Sequence, residues 1–150
     1  MYFVDREKIE QTLRFLENQI NMFEEVSGGG NEAAGSIKAY AAQRISQTMI
    51  DSVLDVGNAM IDGFIMRDPG SFEDIIDILE DESVLASDMA QSFRVTIPLR
   101  KMLIQDYVLL SQEKLMSGMQ QAMPAFKSFS GNIRGYLLNE LGPVSAFKNE

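Results

Sequence analysis

Apolar positions recur along this chain at helical spacing, and no segment sustains the period-two alternation of a half-buried strand. Ile9, Leu13, Leu16, Ile20 and Phe23 fall four, three, four and three residues apart. That spacing predicts a helix from an N-cap at Asp5 to about Phe23, with Glu7 suited to the positive end of its dipole. A second helix is predicted from Ile37 to about Arg67, where "RDPGS" stops it. One of its stripes is Ile45, Met49, Val53, Val56, Met60 and Phe64; another is Ile50, Leu54, Gly57, Ile61 and Ile65. A helix apolar on two sides belongs at the centre of a bundle. A third stripe is polar: Asp51, Asp55, Asn58 and Asp62.

The segment "SFEDIIDILEDES" predicts a short helix capped by Ser71, with Phe72, Ile75, Ile76 and Leu79 on its buried side. A fourth helix is expected from Ser87, with a kink or restart near Thr96 because Pro98 lies inside it. Ser111, with Glu113 behind it, signals a fifth helix to about Leu141, bent at Pro124 and ended by Gly142-Pro143. Met116, Met119 and Met123 form a stripe expected in the core. The sum is an all-α, up-and-down bundle of about five helices, read as one domain over residues 1–150. A flexible connection is expected at about 27–36 and a non-helical tail at about 142–150. The triple glycine in that connection is no phosphate loop, because no strand precedes it and no Gly-Lys-Ser/Thr follows.

Composition narrows the chemistry. No apolar run reaches the roughly 18 residues of a membrane span, and the start turns charged by its fifth residue, which does not suit a secretory signal. A cytoplasmic location is expected. The chain has neither cysteine nor histidine, so thiolate chemistry is excluded and any general base must be carboxylate, lysine or tyrosine. Neither a cofactor nor a metal is expected. The acidic stripe of the second helix could border a cleft, but such a line more often faces water. Glu73, Asp74, Asp77, Glu80, Asp81 and Glu82 read as a solvated face rather than a metal box. The net charge of −9 argues against a protein that coats nucleic acid nonspecifically. Residues 1–90 carry 6 basic and 18 acidic side chains, against 7 and 4 in residues 91–150, so an anionic ligand is expected on the later part.

One stretch of that later part, "RKMLIQDY" from Arg100 to Tyr107, combines a fork-shaped cation with a phenol. On an ideal helix Tyr107 returns to within about 20° of Arg100, while Gln105 lies about 140° away. Leu99, Leu103 and Leu110 mark the buried side nearby. By spacing alone the pair is either ordinary surface or an anion clamp.

The order of features resembles the HepT-like family of the HEPN superfamily, close to its Firmicute branch. The matching segments are "DREKIEQTLRFLENQI", "VLDVGNAMIDGFIMRDPGSFEDIIDILEDE", "LRKMLIQDY" and "YLLNELGPVSAF". Members carry an Arg-x4-His-x-Tyr line at the end of the fourth helix. The resemblance implies a homodimer whose arginine and histidine act in metal-independent RNA cleavage, and a tyrosine to which a nucleotidyltransferase antitoxin attaches AMP. Arg100 matches the arginine, Tyr107 the tyrosine, and Gln105 stands where the histidine should be. A carboxamide cannot take a proton from a ribose hydroxyl, and losing a general base costs about 10²- to 10⁴-fold. Lys101 adds charge that could hold RNA, and nothing in the spacing makes Asp106 the missing base. The expected function is therefore a HepT-like dimer that retains RNA or nucleotide contact with weak or absent cleavage. Two alternatives stand beside it: a non-enzymatic interaction protein, and an active ribonuclease with another group as base.

Overall fold

The computed structural model describes residues 2–28 and 35–143. Among them are five α-helices and no strand. The predicted glycine-rich connection and C-terminal tail lie largely outside these residues.

Local signals start most of the helices. The Asp5 carboxylate accepts the Lys8 N–H at the head of α1 (Arg6–Ser27). Ser36 does the same for Ala39 at the head of α2 (Ile37–Gly63). Ser71 caps α3 (Phe72–Asp81) through Asp74, and Ser111 caps α5 (Gln112–Leu141) through Lys114. Each cap satisfies one of the N–H groups that a helix start leaves unpaired. α4 (Ser87–Ile104) opens after Ala86 without a side-chain cap. A single 3-10 turn, Tyr107–Leu109, joins α4 to α5.

The stripe of α1 is buried throughout, and both apolar sides of α2 feed one hydrophobic cluster running from Val4 to Leu137. α2 touches all four other helices, as its two-sided apolar pattern requires. Phe93 of α4 meets Phe126 and Phe129 of α5 edge to face, at centroid distances of 5.3 and 5.5 Å.

Several expectations are corrected. α1 runs a turn past Phe23. α2 stops at Gly63 rather than near Arg67, because the N-terminal segment crosses there: the Phe3 N–H donates to the Gly63 carbonyl and Val4 packs on the glycine. Ile65 therefore leaves the helix at φ 56° and is 69% exposed, not part of the buried stripe. Phe72, expected inside, is 42% exposed. α4 runs unbroken through Pro98, with no restart at Thr96; the Thr96 hydroxyl donates to the Phe93 carbonyl at 2.7 Å, and buried Phe93 and Ile97 anchor the helix either side. α5 likewise continues through Pro124. Met119 and Met123 are buried, whereas Met116, Leu99, Leu103 and Leu110 are only partly covered.

The carboxylates of α3 are not simply solvated. Arg67 grips Asp74 through both terminal nitrogens at 2.8 Å, and Arg94 of α4 bridges Asp77 and Glu80. Asp74 and Glu80 are held below the usual carboxylate range by hydrogen bonds from Arg67 and Arg94 respectively.

Candidate functional site at the end of the fourth helix

α4 unwinds within the quoted line. The N–H groups of Gln105 and Asp106 both go to the Lys101 carbonyl, at 2.8 and 3.2 Å, a widened last turn of the kind that closes helices. Tyr107 then begins the 3-10 turn. The helical-wheel pairing of Tyr107 with Arg100 therefore fails, since the helix that would carry it ends at Ile104.

Arg100 points back onto the bundle. Its Nε–H donates to Asp51 Oδ1 of α2 at 2.6 Å, and its guanidinium lies 4.2 Å from the centroid of the Phe72 ring of α3. Asp51 thereby leaves the solvent-facing stripe that spacing suggested, and Phe72 is explained as the platform under a cation. The Arg100 side chain is 21% exposed. Its two terminal nitrogens have no partner among the described residues, so the fork edge that suits a phosphate or carboxylate is open.

The neighbouring line is solvent-facing. Lys101 Nζ is 3.8 Å from Asp106 Oδ2, a loose ion pair. Gln105 is exposed, and its carboxamide has no hydrogen bond among the described residues. Tyr107 is 66% exposed, with Val108 and Leu109 more so. The chain has no histidine, and among the described residues no group of three acidic side chains gathers as a metal site.

An open groove between α1 and α2 adjoins Arg100 through Asp51. Its walls include Gln11, Thr12 and Phe15 of α1 and Arg44, Asp51 and Asp55 of α2. Asp51 and Asp55 thus border a cleft, while Asn58 and Asp62 face outward. Asp55 reaches solvent, yet the groove walls crowd it; this burial, then the Asp51 charge, pushes its carboxyl above the usual range. The acidic stripe of the second helix had offered a cleft as one reading, but that Gln11, Thr12 and Phe15 of the first helix form its opposite wall was not legible in the sequence.

The bundle is all-helical, with an arginine clamped at the unwound end of its fourth helix. The model of the ribonuclease HepT-like family matches residues 6–133, and the chain belongs to that family. It is 47% identical, over 99% of its length and all of the relative's, to a Bacillus subtilis (strain 168) protein named as a candidate RNase, YutE. The solved structure of YutE, described as a cytosolic protein of unknown function, superposes with a TM-score of 0.89 at 46% identity, covering 98% of this chain and 100% of that one. A tri-AMPylated HEPN toxin of Shewanella oneidensis, solved in complex with its MNT antitoxin, shares the fold at a TM-score of 0.76 and 16% identity. That match covers 85% of this chain and 96% of the toxin. No described helix is long and apolar enough to cross a membrane.

Proposed function

We propose that this chain is a single-domain, dimeric HepT-like protein that holds RNA or a nucleotide at the end of α4 and cleaves it weakly or not at all. The observation that carries the reading is the Arg100 clamp: Asp51 and Phe72 hold the guanidinium from behind while its terminal nitrogens stay open. Metal-independent cleavage needs the ribose 2′-hydroxyl deprotonated as it attacks the adjacent phosphorus, with the developing charge stabilised nearby. Arg100 can supply the second requirement. Gln105, in the histidine's place, can donate a hydrogen bond to a phosphate oxygen but cannot accept the proton. Lys101 adds a second cation, and its loose pairing with Asp106 leaves it free to reach the backbone of a bound strand.

Tyr107 stands where the family carries its AMP-accepting tyrosine, and its exposed phenol is reachable by a nucleotidyltransferase partner. The alternative, a non-enzymatic interaction protein, draws on the same turn: Tyr107, Val108 and Leu109 expose three consecutive large side chains, a patch suited to another protein surface.

Binding and cleavage of single-stranded RNA by wild type and Gln105→His test the proposal. Wild type should bind at low salt, where phosphate contacts are strongest, and cleave barely. Gln105→His should raise cleavage by about 10²- to 10⁴-fold, and Arg100→Ala in that background should abolish it. Wild type cleaving as fast as Gln105→His would make this an active ribonuclease with a substituted base. No RNA affinity at low salt would favour the interaction protein.

A further inference from the structure

We propose that the groove between α1 and α2 is a nucleobase subsite for single-stranded RNA, selective for guanine, beside the phosphate held by Arg100. The inference rests on the reading of Arg100 as a phosphate-holding group and adds which base that strand presents.

The groove holds about 390 Å³, at the small end of ligand clefts and enough for one base rather than a folded partner. Its α2 wall runs from Arg44 to Asp55, about 16 Å of helix at 1.5 Å per residue. Two of its features point to a planar ligand that brings hydrogen-bond donors. Phe15 is 46% exposed, so its ring belongs to the groove rather than to the core, and an aromatic face of this kind stacks a base of unstacked RNA. The Asp55 carboxylate has no hydrogen-bond partner among the described residues. An ionised carboxylate only accepts, so the ligand must donate.

The Watson–Crick edges of the four bases then divide cleanly. Guanine alone presents two adjacent donors, N1–H and the N2 amino group, and a carboxylate accepts both side by side. Adenine, cytosine and uracil each bring a donor flanked by an acceptor, which would face the second carboxylate oxygen with like charge.

Charge in the groove supports a strand rather than a free cation. Asp51 is already taken by Arg100, which leaves Asp55 as the one carboxylate open to a ligand. The Arg44 guanidinium, at the other end, has no hydrogen-bond or ion-pair partner among the described residues, and Lys8 and Arg100 both attract Asp55. Arg44 in the wall, with Lys8 and Arg100 beyond it, sets three cations near the two lining carboxylates. Asp51 belongs to both sites, so a base in the groove and a phosphate on Arg100 sit on the same side chain.

The test uses fluorescently labelled oligouridine with one central guanosine, adenosine or inosine, titrated with the full chain at low salt. The guanosine oligomer should bind about tenfold tighter than the adenosine one, with inosine, which lacks the N2 amino group, between them. Asp55→Asn should erase that preference without weakening the adenosine oligomer, a pattern that a merely structural role for Asp55 would not produce. Phe15→Ala should weaken every oligomer about tenfold and Phe15→Trp should restore binding. Equal affinity for the three oligomers, or a preference that survives Asp55→Asn, overturns the subsite while leaving Arg100's role standing. If no oligomer binds at all, the Arg100 reading falls. Guanosine and adenosine 5′-monophosphate, followed by NMR shifts of the Phe15 ring, then decide the groove alone: shifts with guanosine only uphold it, and none with either overturns it.

Discussion

Arg100 differs from Arg134 and Arg67 in what its ends touch. Arg134 spends all three nitrogens on Glu10 and Glu17, and Arg67 spends both terminal groups on Asp74. Such arginines are anchored to carboxylates through their terminal nitrogens, the edge that would otherwise meet a ligand. Arg100 is bound only through Nε and its ring-facing plane. Arg100→Lys keeps the charge but loses the fork and the flat stacking face. We expect it to weaken RNA binding about tenfold in anisotropy titrations while the melting temperature stays nearly unchanged; a variant that binds as well as wild type would show that charge alone suffices. At this scale the resemblance singled out Arg100 and Gln105 as candidates, since both are local to one line of sequence. Asp51 and Phe72 escaped it, because the residues that position a side chain come from helices distant in the chain.

At the scale of elements, two glycines in helices separate packing from propensity. A Cβ on Gly57 of α2 would meet Ile75 Cγ2 at 2.7 Å and Leu79 Cδ1 at 3.2 Å, both on buried side chains of α3. A Cβ on Gly131 of α5 would meet nothing within 4 Å. Alanine favours a helix interior over glycine by about 1 kcal/mol. Gly131→Ala should therefore stabilise the protein by about 0.5–1 kcal/mol. Gly57→Ala should destabilise it by about 1–3 kcal/mol through overpacking, despite the same gain in propensity. Urea denaturation of the two variants checks the pair, and a stabilised Gly57→Ala would show that α3 can move aside freely. Apolar periodicity placed Gly57 on an inward stripe of α2, but not that α3 would lie against it. Nor could periodicity show where α2 ends, because the chain crossing at Gly63 comes from the N-terminus.

Across the whole molecule, ion pairs tie the first helix to the last. Arg134 of α5 bridges Glu10 and Glu17 of α1, Lys127 reaches Glu24, and the Arg6 guanidinium donates to the Gly142 carbonyl at 2.9 Å. Hydrogen bonds from Arg134 hold both Glu10 and Glu17 below the usual glutamate range, partly opposed by their burial. Carboxyls depressed in the folded state stabilise it at pH above their unfolded value, about 4.3, and that contribution is lost as pH falls through the depressed folded values. The groups are partly exposed, so the network is worth less than a buried one. We expect Arg134→Met to cost about 1 kcal/mol at pH 7 and progressively less below about pH 4, read from urea melts at the two pH values. A cost unchanged at low pH would mean that the methylenes of Arg134, not its charge, carry the contribution.

The sequence by itself determined the helices and the absence of any histidine. Helical periodicity, the caps at Asp5, Ser71 and Ser111, and turn residues are properties of a few neighbouring positions, so they are readable without the fold. The lack of histidine is likewise read from composition alone, and it limits the proton-transfer groups the chain can use. Only the tertiary structure decided that Asp51 turns from the solvent stripe to Arg100, that Phe72 lies under that arginine, and that Phe15 and Asp55 face a common groove. Those contacts join helices brought together by burial of apolar stripes, and burial is indifferent to which polar side chains end up opposite one another at its rim.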